Sequence, residues 1–287
     1  MKHEAKVGLS RSALAAKSVV SGIALSALLG LSMNAQAQTC TTDNWDNVVG
    51  EAAQTVGNQD GANRRYGGPC GFQVDLDGNP SYVMDMSPTG ETSYIVRFYA
   101  YLDDSGTEDL ILYAADDGTD DQIQVWKNVP NDGDLTLNVF DQGGGNTFLT
   151  VPAANVGSGW KAIEFAWEAS AAADNVVFSV SDRNGNTEVV ETIDTTGISI
   201  AGASLGNVNG ATGGTVDFDD YDSRRISRPG RLTQGDANDD GETNLADTAA
   251  IADEVFFTIF GAGQPDCNED GAIDLSDTAC VADIVFQ

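Results

Sequence analysis

Two acidic segments near the C-terminus repeat the same residue types at the same offsets, GDANDDGETNLAD (235–247) and PDCNEDGAIDLSD (265–277). A calcium loop of about twelve residues takes side-chain oxygens from positions 1, 3, 5 and 9, a carbonyl oxygen from position 7 and a carboxylate from position 12, with Gly at position 6 for the sharp turn. The sequence therefore predicts two Ca²⁺ sites. Their ligands would be Asp236, Asn238, Asp240, Glu242 (carbonyl), Asn244 and Asp247 in the first loop, and Asp266, Asn268, Asp270, Ala272 (carbonyl), Asp274 and Asp277 in the second, position 9 acting directly or through water.

The alternative is a solvated acidic tail with chance spacing. Against it, both segments place Gly at position 6, Gly241 and Gly271, and each is followed by apolar residues at helical spacing, in DTAAIADEVFFTIF and DTACVADIVF. Without a metal the crowded carboxylates repel one another, so we expect calcium binding and folding of this region to be coupled.

Residues 235–287 resemble a type I dockerin module, in which two loops of this kind are each followed by a helix. The resemblance implies a cohesin-type domain as partner, bound through loop positions 10 and 11 and the following helix. Those positions are Leu245, Ala246, Leu275 and Ser276. The sequence departs from the pattern where cohesin binders often carry a basic pair, since Ala252–Asp253 and Ala282–Asp283 stand there. A stabilising or surface-attaching cap is therefore the alternative role.

Another pair of acids, Glu164 and Glu168, lies in EFAWE on a predicted strand. Residues four apart face the same side of a strand, and a carboxylate pair is what glycoside hydrolysis requires. Laminarinase-like jelly rolls carry Glu-x-Asp-x-Glu on such a strand, but Ala166 replaces the middle acid here. The alternative is that both are solvent-facing acids on the side opposite the core, so they are weak catalytic candidates.

Two further groups of residues have a functional and a structural interpretation. A third calcium site, in the same strand-rich part of the chain as Glu164 and Glu168, would use Asp217, Asp219, Asp220 and Asp222. Otherwise these four residues form a polar face. Sugar rings could stack on Trp126, Tyr99 and Tyr101, which otherwise pack in a core.

The elements that must position these residues are mostly strands. From Cys70 to about Tyr221 apolar and polar residues alternate, as in SYIVRFYAYL and KAIEFAWE, and Asp-Gly or Asn-Gly turn signals separate the runs. Counting the alternating runs between turn residues predicts roughly eleven to thirteen short strands. We expect them to fold as a mostly β, jelly-roll sandwich. A β-helix is disfavoured because no fixed repeat period is present.

Two segments carry a family resemblance. GWKAIEFAWEASAAADNVVFSV and VDFDDYDSRR are similar to strands of concanavalin A-like and laminin G-like sandwiches, over about residues 40–226. The resemblance implies the fold rather than an activity. We therefore divide the chain into a sandwich at 38–226, a linker at 227–234 (SRPGRLTQ) and the dockerin-like domain at 235–287.

The first 37 residues are predicted to be a signal peptide. A basic start precedes the apolar run VVSGIALSALLGLSM and a small-residue AQA motif. An exported chain with four cysteines suggests two disulfides with three possible pairings. Because the cysteines fall as one pair near each end of the mature chain, we favour Cys40–Cys70 and Cys267–Cys280.

The mature composition excludes several classes of function. The only histidine, His3, lies in the predicted signal peptide, so histidine-based catalysis and histidine metal sites are excluded. Cleavage leaves 10 basic residues against 43 acidic ones, a balance that repels nucleic acid and anionic lipid. No other segment is apolar enough to span a membrane.

Three functions remain. The leading hypothesis is a secreted protein whose sandwich recognises extracellular polysaccharide or matrix without catalysis, while calcium stabilises the C-terminal domain. The alternatives are a dockerin-bearing glycoside hydrolase and a structural cell-surface or biofilm protein.

Overall fold

The computed structural model describes residues 40–51, 53–56, 64–87 and 89–287. The predicted signal peptide lies outside the described residues. Residues 37–287 belong to one compact unit, so the predicted sandwich, linker and C-terminal region are packed together. In the described part of the chain, no helix is long and apolar enough to cross a membrane.

Fourteen strands and three helices lie in the described residues. The strands are β1 (Asn47–Val49), β2 (Ala53–Val56), β3 (Cys70–Asp77), β4 (Ser81–Asp85), β5 (Ser93–Tyr101), β6 (Leu110–Asp116), β7 (Asp121–Lys127), β8 (Leu135–Phe140), β9 (Asn146–Val151), β10 (Trp160–Glu168), β11 (Val176–Asp182), β12 (Gly185–Glu191), β13 (Gly202–Asn207) and β14 (Thr212–Arg224). The helices are α1 (Ala153–Val156), α2 (Leu245–Phe257) and α3 (Leu275–Val285). The strand count exceeds the predicted range, because β1 and β2 are short edge strands without a long alternating pattern.

The strands form two antiparallel sheets of seven. The first sheet has the order β1-β4-β13-β6-β7-β8-β9, and the second has the order β12-β11-β10-β5-β14-β3-β2. Alternate residues of both sheets meet in one core; from β5 these are Tyr94, Val96, Phe98 and Ala100, and from β10 they are Ile163, Phe165 and Trp167. The predicted mostly β sandwich is confirmed, since strand alternation buries one face of each sheet.

Both predicted disulfides are present, Cys40–Cys70 with a separation of 30 residues and Cys267–Cys280 with a separation of 13. The first ties the N-terminal segment to the start of β3. The second joins the second acidic loop to α3, whose residue Val281 packs beside Cys267 in a small apolar cluster with Ile251 and Ile273.

The predicted linker lies against the outer face of the second sheet. Arg228 binds Glu164 and Glu188, the Gly230 amide donates to Glu164 Oε2 at 2.8 Å, and the Leu232 amide donates to Tyr99 Oη at 2.8 Å. We call residues 227–234 the strap. It leads directly into the two acidic loops, the second of which contacts the same sheet.

Candidate functional site

The first acidic loop is organised by two buried aspartates at its ends. Asp236 accepts hydrogen bonds from the amides of Asp240 (3.1 Å) and Gly241 (2.8 Å). Asp247 accepts from the amides of Asn238 (3.1 Å) and Asn244 (2.8 Å). Hydrogen bonds from backbone N–H groups therefore hold the loop around these two carboxylates.

The second loop repeats this arrangement. Asp266 accepts from the amides of Asp270 (3.2 Å) and Gly271 (2.9 Å), and Asp277 accepts from those of Asn268 (3.1 Å) and Asp274 (2.9 Å). The backbones agree as well. Position 4 has φ 59° and 61° in the two loops, and position 6, the glycine, has φ 90° and 85°, a region that glycine adopts without steric cost.

The residues at loop positions 9 and 12 also cap the N-termini of the helices that follow. Asn244 is the N-cap of α2 and Asp274 is the N-cap of α3, and each accepts a hydrogen bond from the amide two residues on, at 2.8 Å and 2.6 Å. Asp247 and Asp277 complete reciprocal capping boxes, which satisfy amides that helix starts leave unpaired. Each loop and its exit helix therefore form one structural unit.

The aspartates that begin and end the loops are removed from solvent. Asp236 is 5% exposed, and Asp247, Asp266 and Asp277 are fully buried. Burial, with the charges of Asp277 and Asp270 close by, raises the pKa of Asp266 well above its usual range. Burial likewise raises the pKa of Asp277 to about 7. A bound cation would relieve this cost of buried like charges.

The donor set fits calcium by its chemistry. Each loop offers only oxygens: carboxylates, the amide oxygens of Asn238 or Asn268, and the backbone carbonyls of Glu242 or Ala272. In the described residues, no group of three or more Asp, Glu, His or Cys side chains is arranged to hold a metal ion. An ion in either loop would therefore depend on the amide and carbonyl oxygens as well.

The acids proposed as a catalytic pair have separate environments. Glu164 is 5% exposed and is held by Arg228 and the Gly230 amide, whereas Glu168 is exposed at the end of β10. The expectation that Glu164 faces solvent is wrong, because the strap covers it. A carboxylate neutralised by a guanidinium and an amide has a structural role.

The four aspartates proposed for a third calcium site are bound by other groups. Asp217 contacts Arg64 and Gln73, Asp219 accepts from the amides of Tyr66 and Gly67, Asp220 pairs with Arg97, and Asp222 pairs with Arg224. A β-bulge between Asp219 and Asp222 separates them along β14. Asp217 and Asp219 fasten residues 64–67 to the second sheet, and Asp220 pairs with Arg97, which binds the strap at the Gly230 carbonyl.

Two of the three aromatic residues proposed for sugar stacking are covered. Tyr99 is fully buried and Tyr101 is 7% exposed, in a cluster with Tyr66, Trp160 and Ala162 on the outer face of the second sheet. Tyr66 stacks on Tyr99 with ring centroids 3.6 Å apart. This aromatic cluster lies beneath the strap and the second acidic loop. Only Trp126, on the first sheet, remains partly exposed.

The outer face of the first sheet is lined with amide and aromatic side chains. Trp126 Nε1 donates to Gln124 Oε1 at 2.9 Å, Asn138 Nδ2 donates to the same oxygen at 3.1 Å, and Gln124 Nε2 donates to Asp121 at 2.7 Å. Asn138 Oδ1 is buried without a donor among the described residues. Nearby, Phe148 is 50% exposed.

The strand register places seven of these outward residues in one row across the first sheet. The row is Asn47, Met84, Ser204, Ala114, Gln124, Asn138 and Phe148. None carries a charge, and at a strand spacing of about 4.8 Å the row is about 29 Å long. At the β7–β8 end a cleft of about 710 Å³ adjoins it, lined by Gln122, Gln124, Phe140, Asp121, Asp141 and neighbouring turns. This uncharged row contrasts with the strongly acidic composition of the chain.

Sequence reasoning missed Glu254 and Glu269, which bind the sandwich. Glu254 of α2 forms a buried ion pair with Arg65, and Glu269 of the second loop contacts Tyr66 and Arg231. A signal was present in the repeat. The residue 30 positions after Glu254 is Ile284, which carries no charge, and the residue 30 positions before Glu269 is Asp239, which has a shorter side chain. Both are exposed.

No protein-family model matches the chain, and no curated protein matches it. Among solved structures, the receptor-binding domain of botulinum neurotoxin C/D mosaic serotype aligns with a TM-score of 0.43 and 8% identity over 63% of this chain and 43% of that one. The botulinum neurotoxin type G receptor-binding domain gives 0.37 and 10% over 61% and 44%. The serotype D ligand-binding domain in complex with N-acetylneuraminic acid gives 0.40 and 10% over 61% and 43%. The chain spans under half the length of each, and likeness at these TM-scores carries no argument about function.

Proposed function

We propose that this is a secreted, non-catalytic protein that recognises a neutral extracellular polysaccharide through the outer face of the first sheet. The observation that carries the proposal is the uncharged row on this face, whose accessible members are Asn47, Met84 and Phe148 and whose central amides are almost buried and held by Trp126 and Asp121. The corresponding face of the second sheet is covered by the strap and the second acidic loop.

Carbohydrate chemistry matches these side chains. Amide groups donate to and accept from hydroxyls, and an aromatic ring such as Phe148 or Trp126 offers an apolar face to a sugar ring. An anionic glycan would be repelled by a chain with a formal charge of −30.

The proposal assigns calcium to the two C-terminal loops, in a dockerin-like domain that folds around its ions. The sandwich would be of the concanavalin A-like jelly-roll type. Export through the predicted signal peptide agrees with the presence of two disulfides, which persist in oxidising compartments.

A docking role for the helices is the second candidate. Leu245 and Leu275 are 54% and 52% exposed, and Phe256 and Phe286 are 62% and 75% exposed. These equivalent positions give both halves an apolar surface that a cohesin-type or other protein partner would cover. The glycoside hydrolase hypothesis lacks comparable support, because Glu164 is occupied by the strap.

Co-sedimentation of the mature protein with insoluble neutral polysaccharides, in calcium, tests the function. We expect binding that falls at least about tenfold in Phe148→Ala or Trp126→Ala, as for loss of a stacking aromatic. Phe256→Ala, which removes a still more exposed aromatic side chain on α2, is the control and should bind normally.

The same supernatants are assayed for new reducing ends. New ends that disappear in Glu168→Gln would replace the proposal with a hydrolase. Absence of binding to every glycan would leave a protein-binding or structural surface role. Equal losses in Phe148→Ala and Phe256→Ala would show that binding does not use the first sheet.

A further inference from the structure

The two acidic loops agree in sequence pattern, backbone angles and internal hydrogen bonds, but not in surroundings. Position 4 shows the difference most clearly. Asp239 of the first loop is exposed, whereas Glu269 of the second is 4% exposed. Because the loops are otherwise equivalent, the difference must come from what each loop touches.

Glu269 is bound on all sides by the sandwich and the strap. Its Oε1 accepts from Tyr66 Oη at 2.7 Å and pairs with Arg231, and its Oε2 accepts from the Arg183 amide at 2.6 Å. Its backbone carbonyl accepts from the Trp160 amide at 3.1 Å. Four donors from separate segments converge on this one residue of the loop.

The next two loop residues also contact the sandwich. Tyr101 Oη donates to the Asp270 carbonyl at 3.2 Å. A Cβ placed on Gly271 would lie 2.5 Å from a ring carbon of Tyr101, whereas one placed on Gly241 would meet no described atom within 4 Å. Positions 4 to 6 of the second loop are therefore an interface with the sandwich, whereas among the described residues no hydrogen bond joins positions 4 to 6 of the first loop to the sandwich.

We infer that the second loop is an internal dock, in which calcium binding and attachment of the C-terminal domain to the sandwich are one coupled event. The inference rests on the proposed calcium function. Asp270, a proposed calcium ligand, lies between Glu269 and Gly271, which contact the sandwich. A loop conformation that binds calcium therefore also makes these contacts. Coupling is reciprocal: the sandwich raises the calcium affinity of the second loop, and calcium there holds the strap and loop over the aromatic cluster. The first loop is connected to the sandwich through Glu254 of its exit helix rather than through positions 4 to 6, so we expect its calcium affinity to depend less on the sandwich.

Calorimetric titration of the calcium-free mature protein with Ca²⁺ tests the inference. We expect two sites of unequal affinity. Glu269→Gln should weaken the tighter site by about tenfold or more, since it removes charge-assisted hydrogen bonds. Asp239→Asn removes the same charge from the equivalent position of the first loop. It should leave the tighter site unchanged.

Tyr101→Phe provides a second test that deletes only one hydroxyl. It should weaken the same site and lower the thermal midpoint in calcium, whereas Tyr82→Phe, on the first sheet, should do neither. Two sites of equal affinity, or equal effects of Glu269→Gln and Asp239→Asn, would overturn the inference. Absence of any calcium binding to a protein that is folded by circular dichroism would instead reject the calcium function on which it rests.

Discussion

At the scale of single residues, the pKa of an acidic side chain depends on whether burial or hydrogen bonding dominates its surroundings. Asp219 lies against residues 66 and 67, whose amides donate to Oδ2 at 2.5 and 2.9 Å. Burial nevertheless raises its pKa to about 7, so desolvation outweighs the hydrogen bonds. Asp77 is exposed, and hydrogen bonds from Asn79 lower its pKa below the usual value. The same side chain therefore has opposite effects on stability at these two positions.

Asp219→Asn is predicted to change how stability depends on pH. An acid whose pKa is raised on folding binds its proton more tightly in the native state, so its contribution to stability falls as the pH rises from about 4 to about 7. The variant has no charge to bury. The free energy of unfolding of the variant, relative to that of the wild type, should therefore be higher at pH 8 than at pH 5. Urea unfolding with saturating calcium measures it.

Asp77→Asn is the control for this comparison, because a lowered pKa places its titration below pH 4. Its difference from the wild type should be the same at pH 5 and pH 8. If Asp219→Asn behaves in the same way, the carboxylate is not held in a desolvated site.

At the scale of elements, the strap shows how a segment that looks like a linker becomes part of the fold. Pro229, Gly230 and four nearby arginines suggested a connection between domains. In the structure it is held by hydrogen bonds to Glu164 on β10 and to Arg97 on β5, whose Nη1 donates to the Gly230 carbonyl at 3.0 Å, and its Leu232 packs against the aromatic cluster. The buried carboxylate on β10 is therefore an anchor for the strap.

Glu164→Ala should destabilise the protein by about 1–3 kcal/mol, because it removes a buried carboxylate that accepts hydrogen bonds from Arg228 and from the Gly230 amide. Glu168→Ala, on the same strand but exposed, should change stability by less than about 0.5 kcal/mol. Urea unfolding of both variants makes the comparison. Equal effects would mean that Glu164 does not anchor the strap.

The elements that the sequence predicts well are those whose signal is local. Alternation along β5 and β10, and Gly241 and Gly271 at position 6, both depend on only a few residues of chain. The covering of Tyr99 and Tyr101 depends instead on contacts with residues more than a hundred positions away, such as Leu232 and Asp270. No periodicity encodes such contacts, so an aromatic residue on an outer face could not be distinguished from an exposed binding residue.

At the scale of the whole molecule, the two sheets have different surroundings. The second sheet is sealed by the strap, the second loop and the buried pair Arg65–Glu254. On the outer face of the first sheet Phe148 is half exposed, whereas Ala114, Gln124 and Asn138 are at most 9% exposed. If calcium holds the seal, its removal should affect the sandwich and not only the loops, because the aromatic cluster would lose its cover.

Chelation of calcium from the mature protein should therefore lower the midpoint of a single unfolding transition. Calcium at about 100 times its Kd stabilises a binding site by about 2.7 kcal/mol, which corresponds to about 5–10 °C per site in a chain of this size. Trp160, fully buried between the sheet and the second loop, should report the change by a red shift of its fluorescence. The shift should be absent in Trp160→Phe, which identifies its source, and present in Trp126→Phe. Two separate transitions, with only the lower one sensitive to calcium and Trp160 following the upper one, would mean that the loops fold apart from the sandwich.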